Sequence, residues 1–260
     1  MIIAIDVGNS NIVLGCLDEE RVYFTARLST DTKKTSDEYA RMIRNLLGGH
    51  GLDRHAVEGG IISSVVPALS LPLKEAVRLV TGKSSLIVGS GVKTGLNIQM
   101  DNPAQLGADL VVDAVAASAK YPKPIFIIDM GTATTISVVD AAGNYVGGMI
   151  MPGLVVSVTA LASRASQLPH ISLDPPFHAI GKNTKECMKA GAVYGHAAMI
   201  DGAIDRIEEE LGMPAATIVA TGGVSPVVVP QCRRKILLDD DLLLRGLLIL
   251  FRKNMPKETA

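Results

Sequence analysis

The run Asp6-Val7-Gly8-Asn9-Ser10-Asn11-Ile12-Val13 is nearly repeated, about half the chain further on, as Asp129-Met130-Gly131-Thr132-Ala133-Thr134-Thr135-Ile136. Each copy follows an apolar run, residues 2–5 and 125–128, and leads into a second β-rich run, residues 12–17 and 134–139. Strand, acidic glycine turn, strand is the pattern of a β-hairpin tipped by small polar residues. Glycine lets the backbone come close to a phosphate, and hydroxyl and amide side chains donate hydrogen bonds to it. A carboxylate at the strand end can hold a cation that offsets the phosphate charge. One Asp-x-Gly at a strand end is an ordinary turn, since both are common turn residues. Two copies half a chain apart constrain the fold much further. They point to a duplicated α/β domain whose two phosphate-facing hairpins meet across a nucleotide cleft.

The rest of the chain fits such a duplication. Strands are expected at residues 2–6, 11–17 and 21–28, then a helix, a strand at 61–66, a helix at 69–80 and a strand at 85–88. The second half repeats the order, with strands at 124–129, 134–139 and 145–151, followed by helices and a strand at 216–220. Three antiparallel strands followed by alternating helices and strands is an α/β plan. Thr35 and Glu38 form a capping box for the first helix. Asn102-Pro103-Ala104-Gln105 reads as the start of a connecting helix that runs to about Lys120, joining a domain at 1–115 to one at 116–260. Residues 166–176, with three prolines, read as a mobile loop.

Composition sets limits on function. Hydrophobic residues are 48% of the 260, aromatics only 3%, and Trp is absent, so the core must be aliphatic, as parallel strands prefer. A net charge of −1 gives no electrostatic case for nucleic acid or an anionic membrane. The most apolar stretch, residues 242–251, is short and broken by Arg245, so no membrane span is expected. The chain enters a strand directly, without a signal segment, so export is not expected. Cys16, Cys187 and Cys232 suit neither a disulfide framework nor a zinc site, which points to the reducing cytosol.

Several other residues are candidates for chemistry. In Gly107-Ala108-Asp109-Leu110 the small residues would let a ligand approach the Asp109 carboxylate. Asp113 is one turn on, on the same helix face. Neighbouring carboxylates disfavour each other's ionisation, which suits a general base, although two solvated acids on an exposed face fit the spacing better. Gly181-Lys182-Asn183-Thr184, with Glu186, reads as a helix cap that could also meet a polar ligand. Thr221-Gly222-Gly223 after a strand is a bare turn or a place where an adenine ring passes close to backbone. The Walker A pattern fails because Val77 and Pro176 stand where glycine is needed. No dinucleotide-binding glycine run follows a strand. The five histidines lack partners at metal-ligand spacing and read as surface or loop residues.

Taken in order, these phrases resemble the superfamily of acetate kinases, sugar kinases, Hsp70 chaperones and actin, and within it the type III pantothenate kinase family. The resemblance spans almost the whole chain. Its other members are Arg27-Leu28-Ser29-Thr30, Ser63-Ser64-Val65-Val66-Pro67, Asn102-Pro103, Gly147-Gly148, Pro152-Gly153 and Leu168-Pro169. It implies two ribonuclease H-like (actin-like ATPase) domains and ATP-dependent phosphorylation of pantothenate to 4′-phosphopantothenate, the first step toward coenzyme A. It further implies that residues Asp6 to Val13 and Thr132 contact ATP, with Mg2+, and that Asp109 is the base. Met100, Gly107, Ala108, Asp109, Leu110 and Thr184 then bind pantothenate, Thr184 across a homodimer interface. Asp129 holds an activating monovalent cation, K+ or NH4+.

Three positions depart from the family pattern. Leu110 stands where Arg is usual, Met100 where Tyr is common, and Asp113 where Asn is common. An Arg is well suited to a carboxylate ligand, so its loss leaves substrate identity less fixed than reaction type. Two further readings stay open: a kinase of the superfamily acting on another small hydroxyl compound, and a nucleotide-binding regulator without catalysis.

Overall fold

The computed structural model describes residues 1–176 and 178–255. In chain order its elements are β1 (Ile2–Val7), β2 (Asn11–Leu17), β3 (Val22–Ser29), α1 (Ser36–Gly49), β4 (Gly60–Ser64), α2 (Pro67–Thr81) and β5 (Ser85–Ile87). There follow β6 (Asn97–Ile98), α3 (Ala108–Lys120), β7 (Ile125–Met130), β8 (Ala133–Val139), β9 (Asn144–Pro152), α4 (Leu154–Arg164) and α5 (Thr184–Leu211). The chain closes with β10 (Thr217–Thr221), α6 (Ser225–Val228), β11 (Leu237–Leu238) and α7 (Leu242–Asn254). Residues between α4 and α5 form neither helix nor strand among those described. None of the described helices is long and apolar enough to cross a membrane.

The chain divides into two compact units. Among the described residues, the first holds Met1–Leu96, Asp101–Ala119 and residues 241–255; the second holds Asn97–Met100 and Lys120–Asp240. A single cut between residues 115 and 116 is therefore not how contacts group the chain, because α7 returns to the first unit. Packing accounts for this. A side chain at Gly15 in β2 would meet Leu244 at 2.7 Å, and one at Gly246 would meet the Val112 carbonyl of α3 at 2.2 Å. Arg252 completes the attachment, pairing with Glu19 at 2.7 Å and with Glu58. That guanidinium holds the Glu58 carboxyl down at about 2.

The two sheets repeat one topology. The first has the order β3-β2-β1-β4-β5, and the second β9-β8-β7-β10-β11 with β6 added beside β9. In each, an antiparallel hairpin (β1–β2, β7–β8) is extended by a third antiparallel strand on one side and by parallel strands on the other. The central strands are apolar and buried on both faces, as parallel pairing requires. In the first unit Ile3, Ile5, Val7, Ile12 and Leu14 pack against Tyr39, Ile43 and Leu47 of α1 and Leu69, Leu73 and Val77 of α2. In the second, Phe126, Ile128 and Ile136 pack against Ile200 and Ile204 of α5. The Thr35 capping box is present in both directions.

Candidate functional site

The hairpins form as expected, but their turns differ in length. Val7 is opposite Ile12, so four residues, Gly8 to Asn11, turn the first. Met130 is opposite Thr134, so three residues, Gly131 to Ala133, turn the second. The aligned sequences therefore slip by one position past the turn: Asp6 faces Val13, whereas Asp129 faces Thr135. Because side chains alternate, that slip sets a threonine rather than a valine beside the second carboxylate.

Within each hairpin the backbone closes on itself. Gly8 N–H donates to Asn11 O at 2.9 Å and Gly131 N–H to Ala133 O at 3.0 Å. Asp6 and Asp129 are both half-buried at the ends of their strands, while Asn9, Ser10, Asn11, Gly131 and Thr132 are exposed. On the parallel side Asp6 is in register with Ser63 of β4, and Asp129 with Thr221 of β10. Space around Asp129 is kept by glycine. A Cβ at Gly222, whose φ is +96°, would lie 2.6 Å from Asp129 Oδ1 and equally close to the Met130 backbone. The Thr221-Gly222-Gly223 turn thus lets β10 approach β7, rather than only opening room for a flat ring. The Thr135 hydroxyl, in Asp129's row, is buried and has no hydrogen-bond partner. A carboxylate, a spare hydroxyl oxygen and glycine-kept space form an oxygen-rich setting that fits a cation.

Asp109 sits differently from the sequence expectation. Pro103–Gln105 is a short 3-10 turn, Leu106 is extended, and α3 begins afresh at Ala108. The Asn102 cap therefore serves the short turn, and Asp109 lies in the first turn of α3, not two turns inside a longer helix. Gly107 is the reason the break is possible: a Cβ there would lie 2.4 Å from Asp109 Oδ1. That oxygen accepts from Leu110 N–H at 2.9 Å. Asp113 is not a solvated surface acid, being 1% exposed in a stretch buried from Val111 to Ala117.

Thr184 is the first residue of α5 and is exposed. The cap is as expected: Asn183 accepts from Glu186 N–H at 3.0 Å, and Glu186 accepts from Lys182 N–H at 2.9 Å. A Cβ at Gly181 would fall 2.3 Å from Cys187 N, so the preceding loop lies tight on the helix start. Met100, next to β6, directs its sulfur toward Gly147 of β9, 3.8 Å from where a Cβ would be.

One histidine is not a surface residue. His196 of α5 is buried, its Nε2 donates to Pro152 O at 3.1 Å, and desolvation lowers its pKa. A surface hollow of about 310 Å³ lined by Asp37, Ala40, Arg41, Arg44 and Leu79 contains none of the candidate residues.

Residues 2–206 match the type III pantothenate kinase family, a span that takes in both hairpins, Asp109 and Thr184. A type III pantothenate kinase from Exiguobacterium sp. is 42% identical over 254 residues, covering 98% of this chain and 99% of that protein. Another from Brevibacillus brevis is 41% identical over the same shares. The chain belongs to the type III pantothenate kinase family. Among solved structures, component A of (R)-2-hydroxyglutaryl-CoA dehydratase from Acidaminococcus fermentans superposes with a TM-score of 0.55 at 14% identity, covering 95% of this chain and 94% of that one. A candidate Baf-family transcriptional activator from Campylobacter jejuni gives 0.59 at 18% identity, over 97% and 98%. At such low identity these two speak for the fold alone. With the repeated strand order, they make each unit a ribonuclease H-like domain of the actin-like ATPase kind.

Sequence reasoning missed the residues that hold the hairpins in place. Thr30 and Gly153 bond the hairpin tips, and Tyr39 and His196 bond the residues beside them from α1 and α5. The signals were faint: Thr30 closes the Arg27-Leu28-Ser29-Thr30 phrase, and Gly153 closes Pro152-Gly153. Neither phrase states its partner.

Proposed function

We propose that this chain transfers the γ-phosphoryl group of ATP to the primary hydroxyl of pantothenate, giving 4′-phosphopantothenate and opening the route to coenzyme A. The observation that carries this reading is the near-full-length family match, because it spans both hairpins and Asp109 together. Phosphoryl transfer asks a protein mainly for positioning and charge neutralisation, with modest help from a base. The residues divide along those lines. The Asp6–Val13 hairpin offers backbone N–H groups and small polar side chains to the ATP phosphates, and Thr132 offers a second contact. Asp109, held at a helix start beside Gly107 and Ala108, takes the proton of the attacking hydroxyl. Gly107, Ala108, Leu110, Met100 and Thr184 hold the pantothenate, Thr184 reaching the partner's substrate in a homodimer in the cytoplasm.

Among the described residues no group of three or more His, Cys, Asp or Glu is placed to hold a metal. Mg2+ would arrive on the ATP phosphates, where it would neutralise charge while keeping much of its water. Asp129 is the proposed holder of a monovalent cation, with the Thr135 hydroxyl as a further oxygen. Turnover is therefore expected to be several-fold faster in potassium or ammonium than in sodium, with magnesium constant. Equal rates in carefully ammonium-free sodium and potassium buffers would remove that assignment.

Leu110 favours a second reading, in which the same chemistry serves another small hydroxyl acceptor. An assay of ATP consumption with pantothenate and a panel of such compounds separates the two. We expect pantothenate to be turned over by the natural chain, with Leu110→Arg plus Met100→Tyr giving no gain. A natural chain inactive on pantothenate but active on another compound, or a double variant that raises a weak pantothenate rate, would favour the second reading.

A further inference from the structure

The residue that follows the third strand is tied to the hairpin tip in both domains. In the first, Thr30 N–H donates to Ser10 O at 3.1 Å; in the second, Gly153 N–H donates to Thr132 O at 3.1 Å. Each tie is backed from a helix. The hydroxyl of Tyr39 in α1, a residue 1% exposed, donates to Asp31 O at 2.9 Å, and His196 Nε2 in α5 donates to Pro152 O. The partners Asp31 and Pro152 are the immediate neighbours of Thr30 and Gly153. One bond has no counterpart in the second domain: the Thr30 hydroxyl donates to Gly8 O at 2.6 Å.

We propose that Thr30 is a positioning residue for ATP, acting through the first hairpin. Its two donors engage the carbonyls of Gly8 and Ser10 on either side of Asn9. With those carbonyls turned toward Thr30, the tip cannot rotate its peptide planes freely, and its remaining N–H groups keep one direction. A loop of Gly, Asn and Ser would otherwise sample many conformations, and ordering it on binding would lower affinity. Tyr39 anchors the arrangement in the α1 core, so the brace runs from packed helix to exposed tip. The second hairpin needs no hydroxyl, because its turn is one residue shorter. There Gly153 fits against the Gly131 and Thr132 carbonyls, where a Cβ would come within 2.6 Å of both.

This inference rests on the kinase reading, and the experiment separates the two. ATP affinity would be measured by calorimetry, and turnover with pantothenate, for the natural chain, Thr30→Val and Thr30→Ser. Valine keeps the shape and the backbone bond while removing the hydroxyl. We expect Thr30→Val to weaken ATP binding and raise the KM for ATP roughly tenfold, about what one hydrogen bond supplies. The KM for pantothenate should be unchanged, and Thr30→Ser should restore most of the loss. Unchanged ATP affinity in Thr30→Val, or a Thr30→Ser variant as impaired as the valine, would overturn the brace. Equal falls in every kinetic parameter with a lowered Tm would do the same, since they would show a purely structural role. A natural chain that binds ATP but ignores pantothenate would remove the substrate reading, while weaker ATP binding in Thr30→Val would still support the brace.

Discussion

Asp109→Asn is expected to lower turnover with pantothenate about 10²–10⁴-fold, the usual scale for losing a general base. The substitution is clean for a local reason. Asparagine has the same shape, and its carbonyl oxygen can still accept from Leu110 N–H, as Asp109 Oδ1 does at 2.9 Å. The start of α3 does not depend on the charge, because Val111 N–H is satisfied by Gly107 O at 3.2 Å. What disappears is the ability to take a proton. Since phosphoryl transfer passes through a loose transition state, proton removal comes late, and the loss should fall toward the lower part of that range. ATP affinity should be unchanged, because Asp109 is not part of the phosphate hairpins. The checks are kcat from an ATP-consumption assay and ATP binding by calorimetry. Near-native turnover in Asp109→Asn would show that another group is the base.

Much of the fold could be read from the chain because its signals are local. Residues 2–5 and 125–128 are short apolar runs followed by Asp-x-Gly, and such a run bounded by a turn signal reads as a buried strand. The capping box at Thr35 and the side-chain cap at Asn183 are likewise settled within four residues. The features that escaped reading depend on contacts distant in sequence, or on a single backbone angle. Asn102-Pro103 carries every sign of a long helix start, yet Leu106 adopts an extended conformation and Gly107 makes room for the Asp109 carboxylate, so the helix restarts at Ala108. Asp113 reads as a surface acid because its spacing from Asp109 suits an exposed face. Only the packing of α3 shows it buried.

The same distinction runs through the candidate site. The aspartates at the strand ends were legible, since a repeated Asp-x-Gly is rare by chance. Their neighbours were not. Aligning the two hairpins without a gap would place Ile136 opposite Asp129, but the shorter second turn places Thr135 there instead. Turn length is decided by which carbonyl Gly131 N–H reaches, which no pattern of residue types fixes. His196 is the plainest case. A lone histidine in a helix reads as a surface residue, and its bond to Pro152 O spans 44 positions. The return of α7 to the first domain is similarly invisible, because Gly15 and Gly246 reveal their purpose only once Leu244 and Val112 lie against them.

Gly222→Ala is expected to destabilise the second domain strongly. Two independent effects coincide there. The φ of +96° is a conformation that side-chain-bearing residues rarely adopt, and the new methyl would lie 2.6 Å from Asp129 Oδ1, Met130 N and Met130 O. Two of those three atoms belong to the backbone of the central strand β7, which cannot move without breaking its pairing with β8 and β10. Backbone strain and overpacking together should cost roughly 2–5 kcal/mol, lowering Tm by roughly 5–15 °C in a protein of this size. The Asp129 carboxylate is the softer neighbour, so part of the clash should be relieved by displacing it. Any preference for potassium over sodium should therefore shrink in the protein that remains folded. Gly191→Ala in α5 is the matched control: a Cβ there meets nothing within 4 Å, and alanine is the better helix former. Thermal unfolding of both variants, with rates in the two salts, tests the argument. A Gly222→Ala protein as stable as Gly191→Ala would mean that β10 does not press on Asp129 in this way.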